Sequence, residues 1–171
     1  MRLPSFVGEV ARPEQRPRVR TGVWLGYGVV VAFLALAGGA AAADVEPWRW
    51  SYLALAAVKA ATNTVTWWSV ARDRWVAHAQ WLNTVADVVL ITAAIYFTGG
   101  ALSPLVPLYV VEVAVLSMVS NLGQTVAMAA LMVVLHAAML ALMATGALPP
   151  TPAPGVAGAA PSWGHVAIAS L

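Results

Sequence analysis

The sequence predicts an all-α protein, a polytopic transmembrane helix bundle of five full spans with the start of a sixth. Two observations predict it. Hydrophobic residues make up 61% of the 171 residues and charged residues only 9%, whereas a soluble domain carries about 25% charged residues. The apolar residues are also gathered into runs. Each run is near the roughly 20 residues a helix needs to cross a hydrocarbon core about 30 Å thick. There is room for one membrane domain and no second globular domain. The chain has no cysteine, which excludes disulfides, thiolate metal sites and cysteine redox switches within it.

Residues 1–21 read as a cytoplasmic basic tail carrying Arg2, Arg12, Arg16, Arg18 and Arg20. Pro4, Pro13 and Pro17 oppose a long helix there. The apolar run that follows is full length and more runs come after it, so an uncleaved first helix is expected rather than a signal peptide. Span 1 covers about 22–43, and a short loop with Asp44, Glu46, Pro47 and Arg49 follows. Span 2 covers about 50–71 and ends in the charged turn Arg72-Asp73-Arg74. Span 3 covers about 79–98 and is broken by Gly99 and Gly100. Span 4 covers about 104–121 and starts at Pro104, a residue tolerated in a first helical turn. Span 5 covers about 124–145 after the turn Asn121-Leu122-Gly123. Residues 146–161, rich in Pro, Ala and Gly, read as an irregular connection. The partial sixth span is 162–171, where Trp163-Gly164-His165 leads into an apolar run.

The tail and the 72–74 turn hold seven of the nine Lys and Arg residues. If spans 1 and 2 form a hairpin, both lie on one side, and the positive-inside rule makes that side cytoplasmic. The location implied is a bacterial inner membrane. The plain meaning of the arginines is topology and contact with the lipid bilayer; no nucleic-acid partner is expected, since prolines and glutamates break up the basic run. Trp24, Trp48, Trp50, Trp67, Trp68, Trp75 and Trp163 sit near expected span ends. An aromatic belt at headgroup depth accounts for them; stacking on a pigment or quinone ring is the alternative.

Four ionisable residues fall inside expected spans: Lys59, Asp87, Glu112 and His136. A charge at mid-bilayer costs roughly 2.5–3.5 kcal/mol on insertion scales, so such groups face the bundle interior and find partners. Lys59 and Asp87 lie near mid-depth on adjacent antiparallel spans and are expected to pair. That pair either fixes helix register or takes part in proton-linked or ligand-binding work. Glu112 accepts a hydrogen bond from a neighbouring helix or carries its proton. His136 is either a hydrogen-bonded packing residue or an axial ligand for haem or chlorophyll. Asn63 and Asn83 are expected to bridge helices. No nucleophile with its base, phosphate loop or metal cluster is evident, so no catalytic or metal-binding residue is assigned.

The richest segment runs from Asp87 to Tyr109: a helix, a two-glycine break, then a proline-started helix. Backbone groups freed at such a break need protein, water or a ligand as partners. With Asp87, Phe97, Thr98, Gly99, Gly100, Ser103 and Pro104, the segment resembles the membrane sensor domain of redox-responsive, quinone-sensing histidine kinases. These are two-component sensors that control photosynthesis and respiration genes in phototrophic bacteria. Leu105 stands where the family usually has Phe, and Ser103 where its quinone-sensing members have Asn. The resemblance covers roughly 50–170. It implies a membrane-soluble ligand, a quinone, near Phe97, Gly99, Gly100, Ser103 and Pro104, and places the kinase part after the sixth span. The competing expectation is a non-catalytic accessory subunit of a bioenergetic or light-harvesting complex, packed against other membrane helices; a homodimer is a further possible partnership. A small transporter is a third, opposed by the lack of a visible inverted repeat.

Overall fold

A computed structural model describes residues 16–42, 46–149 and 151 of the chain. The expected tail up to residue 15, Trp163 and the start of a sixth span at 162–171 lie outside the described residues, as does the side chain of Trp48. The described chain is an all-α bundle: α1 (Arg16–Ala42), α2 (Glu46–Arg72), α3 (Val76–Phe97), α4 (Leu108–Val119) and α5 (Leu122–Ala144), with a 3-10 turn at Gly100–Leu102. α1 packs on α2, α2 on α3, and α3 on α5, with α4 laid against α5, α1 and α3. α3 is therefore the central helix.

The expectation of five spans and more is corrected. Among the described residues three helices are long and apolar enough to cross a membrane: Pro17–Ala42, Val76–Phe97 and Leu122–Ala144. α2 has the length, at 27 residues, but its middle carries Lys59, Thr62, Asn63, Thr64 and Thr66. α4 is apolar but has only 12 residues. At about 1.5 Å per residue that is roughly 18 Å, against a hydrocarbon core of about 30 Å. Its first expected turn is spent elsewhere. Val106 N–H donates to Ser103 O at 3.4 Å and Leu108 N–H to Leu105 O at 2.9 Å, so residues 104–107 form turns. Its end comes at Ser120, which is extended. α1, in contrast, starts at Arg16, before the expected boundary at Gly22. Pro17 in the first turn loses no helical hydrogen bond, since that N–H would have no acceptor anyway.

The buried positions of α1 are Val19, Val23, Gly26, Phe33, Ala37 and Ala40, and those of α2 include Tyr52, Ala56, Lys59, Asn63, Thr66 and Val70. Both sets advance in alternating steps of three and four, apart from the half-buried Val30 between Gly26 and Phe33. That spacing gives each helix one buried stripe, and the stripe of α2 meets both α1 and α3. Gly26 sets the approach: a Cβ built there would overlap the Asn63 side chain. Asn63 Nδ2 donates to Val23 O at 3.5 Å, and Tyr27 and Thr64 hydroxyls bond at 3.0 Å, so polar contacts join α1 to α2. Thr66 Oγ1 donates to Ala79 O at 3.2 Å, joining α2 to α3. Gln124 Nε2 donates to Thr84 Oγ1 at 3.5 Å, joining α5 to α3. Such bonds hold helices together where lipid leaves no hydrophobic drive between them.

Candidate functional site

Three places hold the polar chemistry of the bundle. The first is the α2–α3 interface. Lys59 is 1% exposed and forms an ion pair with Asp87. Its Nζ also donates to Asn83 Oδ1 at 3.3 Å. Asn83 Nδ2 in turn donates to Asp87 Oδ2 at 3.4 Å. Asn83 and Asp87 are four residues apart on α3, so they share one face and close a ring of three side chains around the ammonium. The structure thus brings Lys59 and Asp87 together, and Asn83 bridges α2 and α3. Glu112 on α4 lies close enough to feel the charges of both Asp87 and Lys59. Among the described residues no group of three or more His, Cys, Asp or Glu side chains is placed to hold a metal ion.

The second place is the Gly99–Pro104 turn. Gly99 and Gly100 both have positive φ, 113° and 59°, which glycine adopts without steric cost. The turn satisfies its own polar groups. Thr98 N–H donates to Ala94 O, Gly99 N–H to Tyr96 O, Leu102 N–H to Gly99 O and Ser103 N–H to Gly100 O. The Thr98 and Ser103 hydroxyls bond to each other, and Ser103 Oγ accepts from Leu105 N–H at 3.1 Å. The backbone donors that the sequence leaves free for a ligand at the start of span 4 are thereby largely used inside the turn. Gly100 is buried, and a Cβ there would stand 2.7 Å from Met143 Cε, so the turn is backed by α5 rather than open. Phe97 packs partly buried against the cluster of Phe33, Leu55 and Ala94. Pro104 is exposed. Beyond α5, Tyr96 Oη donates to Pro149 O at 2.9 Å, and Thr151 Oγ1 donates to Tyr96 O. These bonds tie the following chain back to α3.

The third place was not foreseen from the sequence. A groove of about 580 Å³ runs between α4 and α5, lined by Tyr109, Val113, Ala129, Met132, His136 and Leu140 among others. Its rim residues Val110 and Val133 are 73% and 69% exposed, so it opens on the outside of the bundle. Its floor continues into the cluster of Val88, Leu116, Met128 and Met132. Two polar side chains interrupt the apolar wall. The rings of Tyr109 and His136 meet edge to face, centroids 5.6 Å apart. Thr92 Oγ1 donates to Val88 O at 2.8 Å, and the Tyr109 and Thr92 hydroxyls are 2.7 Å apart. Since Thr92 has one hydrogen and spends it on Val88, Tyr109 gives its own to Thr92 and keeps lone pairs to offer. Among the described residues His136 Nδ1 is buried without a hydrogen-bond partner. We assign the ring proton to Nε2, since a proton on Nδ1 would be buried without an acceptor.

Of the residues singled out in the sequence, Lys59 and Asp87 meet between α2 and α3, and Glu112 on α4 lies within electrostatic reach of both. Phe97, Gly99, Gly100, Ser103 and Pro104 form or flank a self-satisfied turn. His136 stands apart from both, in the groove. Tyr109, which closes the Asp87–Tyr109 segment, and Thr92 were missed. The available signal was a hydroxylated aromatic at the start of a short apolar helix. No family model, curated protein or solved structure matches this chain.

Proposed function

We propose that this chain is a membrane-embedded domain of the sensor type, which takes a membrane-soluble ligand between α4 and α5 and does no chemistry on it. The observation that supports this reading is the groove itself. Ligand pockets of about 300–1,000 Å³ are lined mostly by apolar side chains with a few polar groups that fix orientation. The α4–α5 groove has that make-up, with Tyr109 and His136 as its polar groups. It begins at Tyr109, five residues after the Pro104 turn on which the family resemblance rests. A ligand with an apolar body and one ring carbonyl suits it, because His136 Nε2–H is a donor on the groove wall. A quinone belongs to that class. The proposed setting is a bacterial inner membrane, with the arginine-bearing start of α1 on the cytoplasmic side.

The test is titration of the protein in lipid nanodiscs with a short-chain benzoquinone, read by tryptophan quenching. Trp81 packs on the cluster under the groove and supplies a nearby reporter. Saturable binding is expected. Ala129→Phe, which fills the groove, is expected to abolish it. His136→Leu is expected to weaken it about fivefold, the worth of one hydrogen bond of about 1 kcal/mol. Unsaturable quenching of the wild type, or unchanged binding by Ala129→Phe, would overturn the reading and favour an accessory subunit of a larger complex.

A further inference from the structure

A separate feature lies at the end of the bundle where α1 begins, α2 finishes and α3 begins. Val19, Val70 and Val76 pack there into one buried cluster. That cluster gathers the basic residues. Arg18 and Arg20 flank Val19, Arg72 lies two residues past Val70, and Arg74 lies two residues before Val76; all four are exposed. The Arg72 guanidinium stands 5.3 Å from the Trp68 ring centroid and that of Arg74 stands 6.0 Å from Trp75. Asp73 is the one acidic residue of this end among the described residues.

We propose that this end of the bundle is a binding site for the phosphate headgroups of anionic phospholipids. Guanidinium forks match a phosphate with two parallel hydrogen bonds, and stacking on an indole holds the fork in place. Indole rings settle at headgroup depth, which puts Trp68 and Trp75 at the level of the lipid phosphates. The occupant also needs hydrocarbon chains. Trp24 and Trp67, 71% and 53% exposed, extend the same end towards the apolar faces of α1 and α2. An inorganic anion would use the arginines and leave those faces unused, whereas a phospholipid meets both.

The experiment titrates a short-chain phosphatidylglycerol, a short-chain phosphatidylcholine and inorganic phosphate into the protein in a nonionic detergent, following tryptophan fluorescence. Phosphatidylglycerol is expected to saturate at lower concentration than phosphatidylcholine, and phosphate alone is expected to give no response. A cation at headgroup level is worth about fivefold in affinity. Arg72→Gln/Arg74→Gln is then expected to weaken phosphatidylglycerol binding roughly thirtyfold. Arg72→Lys/Arg74→Lys keeps the charge but loses the paired hydrogen bonds and the stacking, and is expected to bind more weakly than the wild type and more tightly than the glutamine variant. Equal affinity for the two lipids, an unaffected glutamine variant, or a lysine variant that binds as tightly as the wild type would overturn the proposal. A full response to inorganic phosphate would assign the site to a free anion and overturn it too.

Discussion

The ion pair between α2 and α3 gives the sharpest energetic prediction. Lys59 is 1% exposed and its ammonium touches Asp87 and Asn83. Asp87→Leu would leave that ammonium with the Asn83 oxygen at 3.3 Å. Breaking a buried pair from one side costs about 3–5 kcal/mol, because an uncompensated charge remains. Lys59→Met would strand Asp87, whose side chain keeps 16% of its exposure. The expected cost is therefore at the lower end, about 3 kcal/mol. Removing both charges lifts both penalties, since well-packed apolar pairs replace buried ion pairs at little or no cost. Lys59→Met/Asp87→Leu is expected within about 1 kcal/mol of the wild type. The coupling between the two sites, the sum of the single costs less that of the double variant, is then expected to be about 5 kcal/mol or more. The assay is reversible unfolding in mixed micelles, titrated with a denaturing detergent and followed by helical circular dichroism. A double variant less stable than either single one, with additive costs, would refute the argument. It would mean that the charges contribute independently, as they do when both reach water.

Other positions give simpler expectations. Gly26→Val forces a side chain into buried Asn63 and is expected to cost about 1–3 kcal/mol; Asn63→Ala in the same chain should recover most of it, measured by the same unfolding titration. Gly100→Ala places an L residue at φ 59° and a Cβ 2.7 Å from Met143 Cε. The left-handed backbone alone costs roughly 1–2 kcal/mol, so Met143→Ala should relieve only the steric part of the loss. Asn121 caps α5 by accepting from Gln124 N–H at 2.9 Å, and Asn121→Ala should lower stability by about 1 kcal/mol, seen as a shift in thermal midpoint.

The sequence made some of this legible for physical reasons. Lys59 and Asp87 could be paired in advance, because a charge placed at depth in an apolar run needs an opposite charge and hairpin geometry leaves one choice. The breaks at Arg72–Arg74, Gly99–Gly100 and Asn121 were readable from glycine, charge and capping residues. Span counting failed where composition alone was consulted. The run at 104–121 is apolar but for Glu112 and a few small polar residues near its end, yet Pro104 and Pro107 each lack an N–H and the segment between them closes turns instead of helix. The run at 50–71 has the length of a span, but the middle of its buried face carries Lys59, Asn63 and Thr66, a polar seam that lowers its hydropathy below that of α1, α3 and α5. The groove was illegible because it is made by two helices at once. Tyr109 and His136 are 27 positions apart in the chain, and neither periodicity nor motif spacing shows that their rings meet.

That polar seam on α2 bears on how the protein is made. α1, α3 and α5 each carry enough apolar surface to leave the insertion machinery one at a time. α2 does not, because its inward face presents the Lys59 ammonium, the Asn63 amide and the Thr66 hydroxyl, whose partners on other helices lie on α1 and α3. The Asn63 amide finds Val23 O on a helix already synthesised, but the Lys59 charge waits for Asp87, which emerges from the ribosome 28 residues later. Release of α2 should therefore lag behind its own synthesis until α3 arrives, so that the first three helices settle as a unit and α4 and α5 are added to it.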